Sequence, residues 1–351
     1  MRAAVFHGKT DVRIEDVGEP SVGPGMVKLR NGYAGICGTD LHVYYAPESS
    51  GMDFTTPHPR TGSMAPVVLG HEASGTVLEI GDGVEGLAPG DNVAVWPVFQ
   101  CNECVACKKG LPNACVNIAF FGLTYPSGGH AEFSVVPAEK LHKLPPNVDL
   151  KLGALVEPMA VAWHAVDLSE IKAGGTALVS GAGPIGIGVW FALKARGVET
   201  IIVSEPSAER RAAIAGIGAE IVVDPVSEDL AAAVSEHTAG RGVDAAFDAA
   251  GAKAAFDAAL ESLTPGGALV LIALPEGDIP FNPASLVWKE TKMIAAFCHN
   301  GEVFDAVIDA MGKGFYRMDG WVETVGLDDL TGSYERLREG KAMKLLVDSQ
   351  S

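Results

Sequence analysis

The stretch Gly181-Ala182-Gly183-Pro184-Ile185-Gly186 decides the fold of the second half of the chain. It follows the apolar run 177–180, which we predict to be a buried strand, and it opens a segment, 183–196, that is typical of a helix. In this context the glycines allow a tight turn, a close approach of the backbone to a pyrophosphate, and close packing of helix on strand. The free N–H groups at the start of the helix would face the phosphates. The sequence therefore predicts a dinucleotide site at Gly181, Gly183, Pro184, Ile185 and Gly186.

An acidic residue follows at the distance that such a site requires. Glu205 stands at the end of the next predicted strand, 200–204, where a carboxylate can accept hydrogen bonds from the ribose hydroxyls of the coenzyme. The same charge repels a 2′-phosphate, so NAD is favoured over NADP. Arg210 and Arg211 lie close behind. For Arg210, contact with the adenosine end of the coenzyme and a solvated position on a helix surface are both open.

Short apolar segments alternate with helical segments from about residue 151 onward. This pattern predicts an α/β fold with a doubly wound parallel sheet of the Rossmann type. The predicted strands are 177–180, 200–204, 221–223, 243–247 and 268–272, and one predicted helix covers 152–167.

The first 150 residues have a different pattern of short alternating strands and turns, which predicts a mostly β domain. Its predicted strands are 26–34, 72–80, 91–95 and 131–136, with a long surface loop at 45–66. After about residue 290 the pattern is less regular, apart from a final strand at 344–347.

Length, charge and hydropathy set wider limits. A chain of 351 residues is long enough for about two domains. Its net charge of -18 argues against nucleic acid and against anionic membrane surfaces as partners. No run reaches the roughly 18 apolar residues of a membrane span, and the first residues are typical of a strand rather than of a signal peptide. We therefore expect a cytoplasmic protein that acts on a small molecule.

Four of the six cysteines are crowded into one short segment. Cys101, Cys104, Cys107 and Cys115 have the spacing C-x2-C-x2-C-x7-C, and short loops of this kind let four thiolates converge on a tetrahedral zinc. Because four protein ligands leave no open position, the predicted zinc is structural. An iron–sulfur cluster and a set of disulfides are the alternatives, and a reducing compartment disfavours the disulfides.

A second set of metal-ligand residue types is dispersed along the chain. The stretch 35–42 contains Cys37, and Gly70-His71-Glu72 offers an imidazole beside a carboxylate. A catalytic zinc keeps one position open for water or substrate, so three protein ligands are expected. Cys37 and His71 are candidates, and the third ligand is a carboxylate, either Glu72 or Glu157. A small buried cysteine and a structural histidine are the simpler interpretations of the first two residues.

Together these motifs resemble those of the zinc-dependent medium-chain alcohol dehydrogenases, and the resemblance extends essentially from end to end. The matching stretches are Gly35 to His42, Gly70-His71-Glu72, the four-cysteine segment, Gly128-Gly129-His130-Ala131-Glu132 and Gly181 to Gly186. The resemblance implies a GroES-like catalytic domain with the structural zinc over 1–155, a Rossmann NAD-binding domain over 156–290, and a segment over 291–351 that returns to the catalytic domain. It also implies a homodimer or a homotetramer.

The resemblance further assigns roles to single residues. The family's catalytic zinc ligands correspond to Cys37, His71 and Glu157, with Glu72 binding directly or supporting the site. Thr39 matches the family hydroxyl that contacts the substrate oxygen. His42 matches the histidine that receives the proton by way of the nicotinamide ribose.

Two further stretches resemble the butanediol (acetoin) dehydrogenases within this family, namely Pro57-His58-Pro59-Arg60-Thr61-Gly62 and the segment from Leu155 to His164. We therefore expect a zinc-dependent, NAD-linked secondary alcohol dehydrogenase that interconverts (2R,3R)-2,3-butanediol and acetoin. Oxidation of sorbitol-like polyols or of L-threonine is the alternative. A non-catalytic NAD-binding redox sensor, with Cys37 and Cys298 as reactive thiols, is the alternative from a different class.

Overall fold

The structure is a computed structural model of the chain, and it describes residues 1–275 and 277–351. The chain forms two compact units. The first contains Met1–Glu157, Asn300–Gly312 and Val322–Ser351, and the second contains Pro158–His299 and Lys313–Trp321.

The strands are numbered in chain order. They are β1 (Arg2–Gly8), β2 (Asp11–Asp16), β3 (Met26–Gly35), β4 (Val67–Val68), β5 (Glu72–Ile80), β6 (Asn92–Val95), β7 (Val98–Phe99), β8 (Ala119–Phe120), β9 (Phe133–Pro137), β10 (Leu141–Lys143), β11 (Thr176–Ser180), β12 (Thr200–Ser204), β13 (Ile221–Val223), β14 (Val243–Asp248), β15 (Leu263–Leu271), β16 (Lys292–Ala295), β17 (Val322–Gly326) and β18 (Lys344–Asp348).

The α-helices are numbered in the same way. They are α1 (Gly38–Tyr45), α2 (Val105–Lys108), α3 (Leu150–Ala154), α4 (Val156–Ser169), α5 (Pro184–Ala195), α6 (Ala208–Gly216), α7 (Leu230–His237), α8 (Lys253–Glu261), α9 (Ala284–Lys289), α10 (Gly301–Gly312) and α11 (Leu330–Arg338).

The first unit is built around strand β3. A seven-stranded sheet has the order β10-β6-β5-β3-β18-β17, and β9 also pairs with β3. Alternate side chains of β3 and β5, including Val27, Leu29 and Val77, enter an apolar core. Because β3 and β5 are antiparallel, the end of β3 lies beside the start of β5, and Gly35 is the register partner of Glu72. This pairing brings the stretch after Gly35 next to His71 and Glu72.

The second unit contains a six-stranded parallel sheet with the order β13-β12-β11-β14-β15-β16. If β11 to β16 are renumbered 1 to 6, this is the order 3-2-1-4-5-6 of the doubly wound dinucleotide-binding sheet. The fold class predicted from the sequence is therefore confirmed. The turn at Gly181 follows β11 at the point where the strand order reverses, which is where ligands bind in open parallel sheets.

Several predicted elements differ from the observed ones. The single helix predicted over 152–167 is two helices, α3 and α4, and the Asp149 side chain caps the first by accepting a hydrogen bond from the Leu152 N–H at 2.8 Å. The region after 290, predicted to be irregular, contains α10, α11, β16 and β17. Among the residues that the structure describes, no helix is long and apolar enough to cross a membrane.

Candidate functional site

Three of the predicted zinc ligands lie together in the first unit. One donor atom each from Cys37, His71 and Glu72 forms a group in which all the atoms lie within 4.8 Å of one another. Zinc bonds are about 2.0–2.3 Å long, so small side-chain movements would bring the three donors into contact with one tetrahedral ion. In the described part of the chain, Glu157 is not a member of this group. The soft thiolate, the imidazole and the carboxylate form a set that suits zinc.

The end of β3 and the start of α1 place the thiol. Cys37 is the residue that precedes α1, and its N–H donates to Asp40 Oδ2 at 2.8 Å. Its Sγ lies 3.7 Å from Thr39 Oγ1. A Cβ on Gly35 would lie 1.8 Å from Glu72 Oε2, so any side chain at this position would displace the Glu72 carboxylate.

Asp40 orients the imidazole, a role that the sequence analysis did not assign. It is fully buried, and its Oδ1 lies 3.5 Å from His71 Nδ1. This contact leaves Nε2 as the nitrogen that can face a metal, as is usual for metal-binding histidines held by a carboxylate. Burial alone would lower the pKa of His71, but Asp40 raises it well above its ordinary value. A metal ion must therefore displace a proton from this ring.

Lys344 is a second residue of the site that sequence reasoning missed. This buried side chain from β18 forms an ion pair with Glu72 Oε2, and its Nζ donates to the backbone oxygen of Ile36 at 3.0 Å. Burial alone would lower the pKa of Lys344, but Glu72 raises it overall. Burial also raises the pKa of Glu72, and the Lys344 ammonium opposes that rise. The only sequence signal was a lysine at the start of an otherwise apolar final strand.

Thr39 and His42 occupy neighbouring positions on α1. Residues three apart on a helix share a face, so the two polar side chains lie on the same side of this short helix. The Thr39 hydroxyl is near the Cys37 thiol, whereas His42 is exposed to solvent. Thr39 therefore lies at the donor group and His42 lies at the protein surface.

The four cysteines predicted to bind structural zinc converge. Their sulfur atoms all lie within 4.8 Å of one another, with Cys101 and Cys107 at 3.9 Å and Cys104 and Cys107 at 3.5 Å. The backbone N–H groups of Cys107 and Val116 lower the pKa of Cys104 to about 6, which favours the thiolate that a metal needs. The thiols are free rather than joined in disulfides.

The glycines of the predicted phosphate turn are required by its geometry. Gly181 has φ +98, in the left-handed region that favours glycine. A Cβ on Gly186 would lie 1.9 Å from the backbone oxygen of Gly181. Pro184 is the first residue of α5, and Gly183 precedes it. The free N–H groups at the N-terminus of this helix therefore face the turn.

Glu205 is buried at the end of β12 and is held by the backbone. Its Oε2 accepts from the Ala182 N–H at 2.7 Å, and its Oε1 accepts from the Ser207 N–H at 2.8 Å. The carboxylate therefore also fixes the phosphate turn, a contact that the sequence pattern did not predict. The side chains of Arg210 and Arg211 lie in different surroundings. Arg211 donates to the backbone oxygens of Glu205 and Pro206, whereas Arg210 Nη1 would lie 3.9 Å from a Cβ on Gly183, beside the turn.

The chain combines a dinucleotide turn at the switch point of a doubly wound sheet with a four-cysteine group and a Cys37, His71 and Glu72 group. This combination defines a class of protein, the zinc-dependent dehydrogenases with a nicotinamide coenzyme. Comparison with protein families agrees. The model of the alcohol dehydrogenase GroES-like domain matches residues 23–146, and that of the zinc-binding dehydrogenases matches residues 184–313. The chain belongs to the zinc-binding alcohol dehydrogenase family.

Individual relatives match the chain over almost its full length. The (R,R)-butanediol dehydrogenase of Bacillus subtilis is 39% identical over 352 residues, covering 99% of each chain. The 2-dehydro-3-deoxy-L-galactonate 5-dehydrogenase of Pseudoalteromonas atlantica is 35% identical, covering 99% of this chain and 98% of the relative. The crystal structure of 2R,3R-butanediol dehydrogenase from Bacillus subtilis matches with a TM-score of 0.90 at 38% identity, over 99% of each chain.

Proposed function

We propose that this enzyme interconverts a vicinal diol and a hydroxyketone, (2R,3R)-2,3-butanediol and acetoin, by hydride transfer with NAD. The observation that carries the proposal is the grouping of Cys37, His71 and Glu72 within 4.8 Å, beside the Thr39 hydroxyl. The similarity to a butanediol dehydrogenase over 99% of the chain supports the choice of substrate.

In this proposal the chain holds two zinc ions. Cys101, Cys104, Cys107 and Cys115 hold the structural ion. Cys37 and His71 hold the catalytic ion together with a glutamate, either Glu72 or Glu157. Bound zinc supplies Lewis-acid chemistry, which lowers the pKa of a hydroxyl group that it contacts.

The protein residues around the metal then orient the substrate and move its proton. Thr39, whose hydroxyl lies 3.7 Å from the Cys37 sulfur, would hydrogen-bond to the reacting oxygen. Thr39 would receive the proton of the substrate hydroxyl, and His42, which is exposed, would release a proton to solvent. A bound coenzyme would supply the ribose hydroxyl that connects the two residues. The protein must also hold the carbinol carbon against the nicotinamide. The bound coenzyme would supply the redox chemistry.

The coenzyme is bound by Gly181, Gly183, Pro184, Ile185 and Gly186, with Glu205 and Arg210 at the adenosine end. NAD is preferred because the buried Glu205 carboxylate would repel a 2′-phosphate. Arg211 does not offset this charge, since it is bound to the backbone and to Asp224 at 3.0 Å. Arg210 is the arginine beside the turn and contacts the adenosine ribose or a phosphate.

Substrate and assembly complete the proposal. A vicinal diol or hydroxyketone has a second oxygen that can approach the metal, which distinguishes it from a simple alcohol.

The enzyme is a cytoplasmic homodimer or homotetramer that binds neither nucleic acid nor membrane, in keeping with its net charge of -18. Exposed apolar side chains near the edge strand β16, Val287, Trp288 and Phe297, support self-association.

Initial rates of NADH formation test the proposal. The purified enzyme is given (2R,3R)-2,3-butanediol, its (2S,3S) isomer, sorbitol or L-threonine at the same concentration with NAD. We expect the (2R,3R) diol to give the highest rate. A higher rate with sorbitol or threonine would reassign the substrate. No oxidation of any of the four by metal-loaded protein would favour a non-catalytic redox sensor based on Cys37 and Cys298.

A further inference from the structure

We propose that a cavity in the second unit binds a small aliphatic monocarboxylate, at a site that shares no residue with the coenzyme turn. The cavity has a volume of about 240 Å³. It lies between the C-terminal halves of α7 and α8 and is bounded by the residues that precede β14 and begin β15. An engineered cavity of about 150 Å³ holds benzene, so this cavity can hold a molecule of that size or slightly larger.

The apolar part of the cavity arises from short side chains on two facing helices. Ala231 of α7 and Ala258 of α8 both line it, and their methyl groups leave space that longer side chains would fill. The buried side chains of Leu230, Val234 and Leu263 form its apolar wall. A hydrocarbon chain placed against this wall would be removed from water, which is favourable.

Arg241 provides the first positive charge at the cavity. It stands in the loop between α7 and β14, between Gly240 and Gly242, whose φ values are +76 and +82. Its Nε donates to the backbone oxygen of Thr238 at 3.2 Å, and within the described residues its two Nη atoms make no hydrogen bond or ion pair with the protein. A guanidinium with free Nη atoms can bind a carboxylate through two parallel hydrogen bonds.

Lys289 of α9 provides the second positive charge. Its Nζ donates at 2.9 Å to the backbone oxygens of both Glu261 and Leu263. These two hydrogen bonds hold the ammonium where α8 ends and β15 begins. Because an ammonium has three donors, one remains for a ligand in the cavity.

The balance of charge favours a ligand with a single negative charge. One carboxylate, that of Glu261, lines the cavity together with the two cations, so the sum is plus one by formal count. The whole chain has 44 acidic and 26 basic residues, and a local excess of cations therefore runs against its composition. A monocarboxylate neutralises this excess, whereas Glu261 would repel a second carboxylate on the ligand. The apolar wall favours an aliphatic acid over inorganic phosphate.

The cavity and the coenzyme turn lie at opposite edges of the parallel sheet. Gly242 immediately precedes β14 and Leu263 begins β15, whereas Gly181 follows the end of β11, which is parallel to β14. The 6 residues of β14 separate these edges, a distance of roughly 16–20 Å. A ligand in the cavity should therefore bind without competing with NADH.

The experiment is a saturation-transfer NMR titration of the metal-loaded enzyme with hexanoate. Hexanoate should bind saturably, and acetate, adipate and inorganic phosphate should each displace it at least roughly 10-fold less well. Arg241→Gln replaces an exposed side chain and should weaken hexanoate binding roughly 10-fold. Ala258→Leu should abolish binding by filling the cavity. Lys292→Met, which removes an exposed cation of the same unit, is the matched control and should bind hexanoate normally.

Four results would overturn the proposal. Wild-type enzyme that shows no saturable binding of hexanoate has no such site. Unchanged binding in both Arg241→Gln and Ala258→Leu would place the acid elsewhere, and displacement of hexanoate by NADH would place it at the coenzyme site. Phosphate that binds as tightly as hexanoate would contradict the role of the apolar wall.

Discussion

A single methyl group at Gly186 should damage the coenzyme site. In Gly186→Ala the new Cβ would lie 1.9 Å from the oxygen and 2.8 Å from the carbon of the Gly181 backbone. Ordinary contacts begin near 3.4 Å, so the turn and α5 must separate by about 1.5 Å at this point. The clashing atoms belong to backbone and cannot rotate away. The turn that receives the pyrophosphate must therefore move.

The expected magnitude follows from two opposing terms. Overpacking of a well-filled site costs about 1–3 kcal/mol, whereas alanine in place of glycine within a helix gains about 1 kcal/mol. Thermal stability should therefore fall only slightly. The affinity for the coenzyme should fall more than the stability. The coenzyme binds only the native turn, and in the variant this turn forms only if the full overpacking strain is restored. A strain of about 1.4–2.8 kcal/mol weakens binding roughly 10- to 100-fold.

Fluorescence titration with NADH and thermal unfolding measure these two quantities. Gly216→Ala is the matched control, since Gly216 lies in α6 of the same unit and a Cβ there meets nothing within 4 Å. It should bind NADH normally and gain about 0.5–1 kcal/mol of stability. Normal NADH affinity in Gly186→Ala would refute the assignment of this turn to the pyrophosphate.

Four further predictions concern the metals, the coenzyme and pH. Cys37→Ala and His71→Ala should each abolish turnover while NADH binding, measured by fluorescence, is largely kept; near-normal turnover in either would exclude a catalytic zinc at this site. Glu205→Ala should raise the ratio of kcat/KM with NADP to that with NAD, and an unchanged ratio would contradict its assigned role. Dialysis against a chelator should release zinc in two kinetic phases that total two ions per chain by metal analysis, and a total of one would remove a site. Burial lowers the pKa of Lys140 from 10.5 to about 8. Between these values the unfolded chain binds more protons, so stability should rise with pH by up to about 3 kcal/mol. Urea unfolding at pH 8 and pH 10 should show a smaller rise in Lys140→Met, and an equal rise would assign the effect to other groups.

The sequence predicted the second unit well because its signals are local. The turn at 181–186 lies between a strand and a helix that are contiguous with it, and the strands β11, β12 and β13 are short, mostly apolar runs. Errors arose where local signals conflicted. Strand β15 begins at Leu263 rather than at the predicted residue 268, since it includes Pro265-Gly266-Gly267, residue types that usually interrupt a strand.

The donor residues of the first unit were also predicted, because their residue types are rare and chemically specific. Their surroundings were not. Lys344 lies 272 residues beyond its partner Glu72, and no spacing or periodicity relates the two positions. Asp40 lies within the quoted motif, but a single acidic residue in a short helix gives no sign that it faces His71. Long-range pairing of strands determines both contacts.

Strand β18 has a consequence for the order of events during synthesis. It pairs with residues 33–35 of β3 and brings the Lys344 ammonium to Glu72. At 5–20 residues per second, a ribosome needs roughly 15–55 s to travel from Glu72 to Lys344. During this time the end of β3 lacks its neighbour β18, and Glu72 lacks the Lys344 counter-ion. The four-cysteine segment, in contrast, is complete 14 residues after its first ligand. The proposed structural zinc could therefore bind to the nascent chain, whereas the proposed catalytic centre receives its lysine only after the last strand has been made.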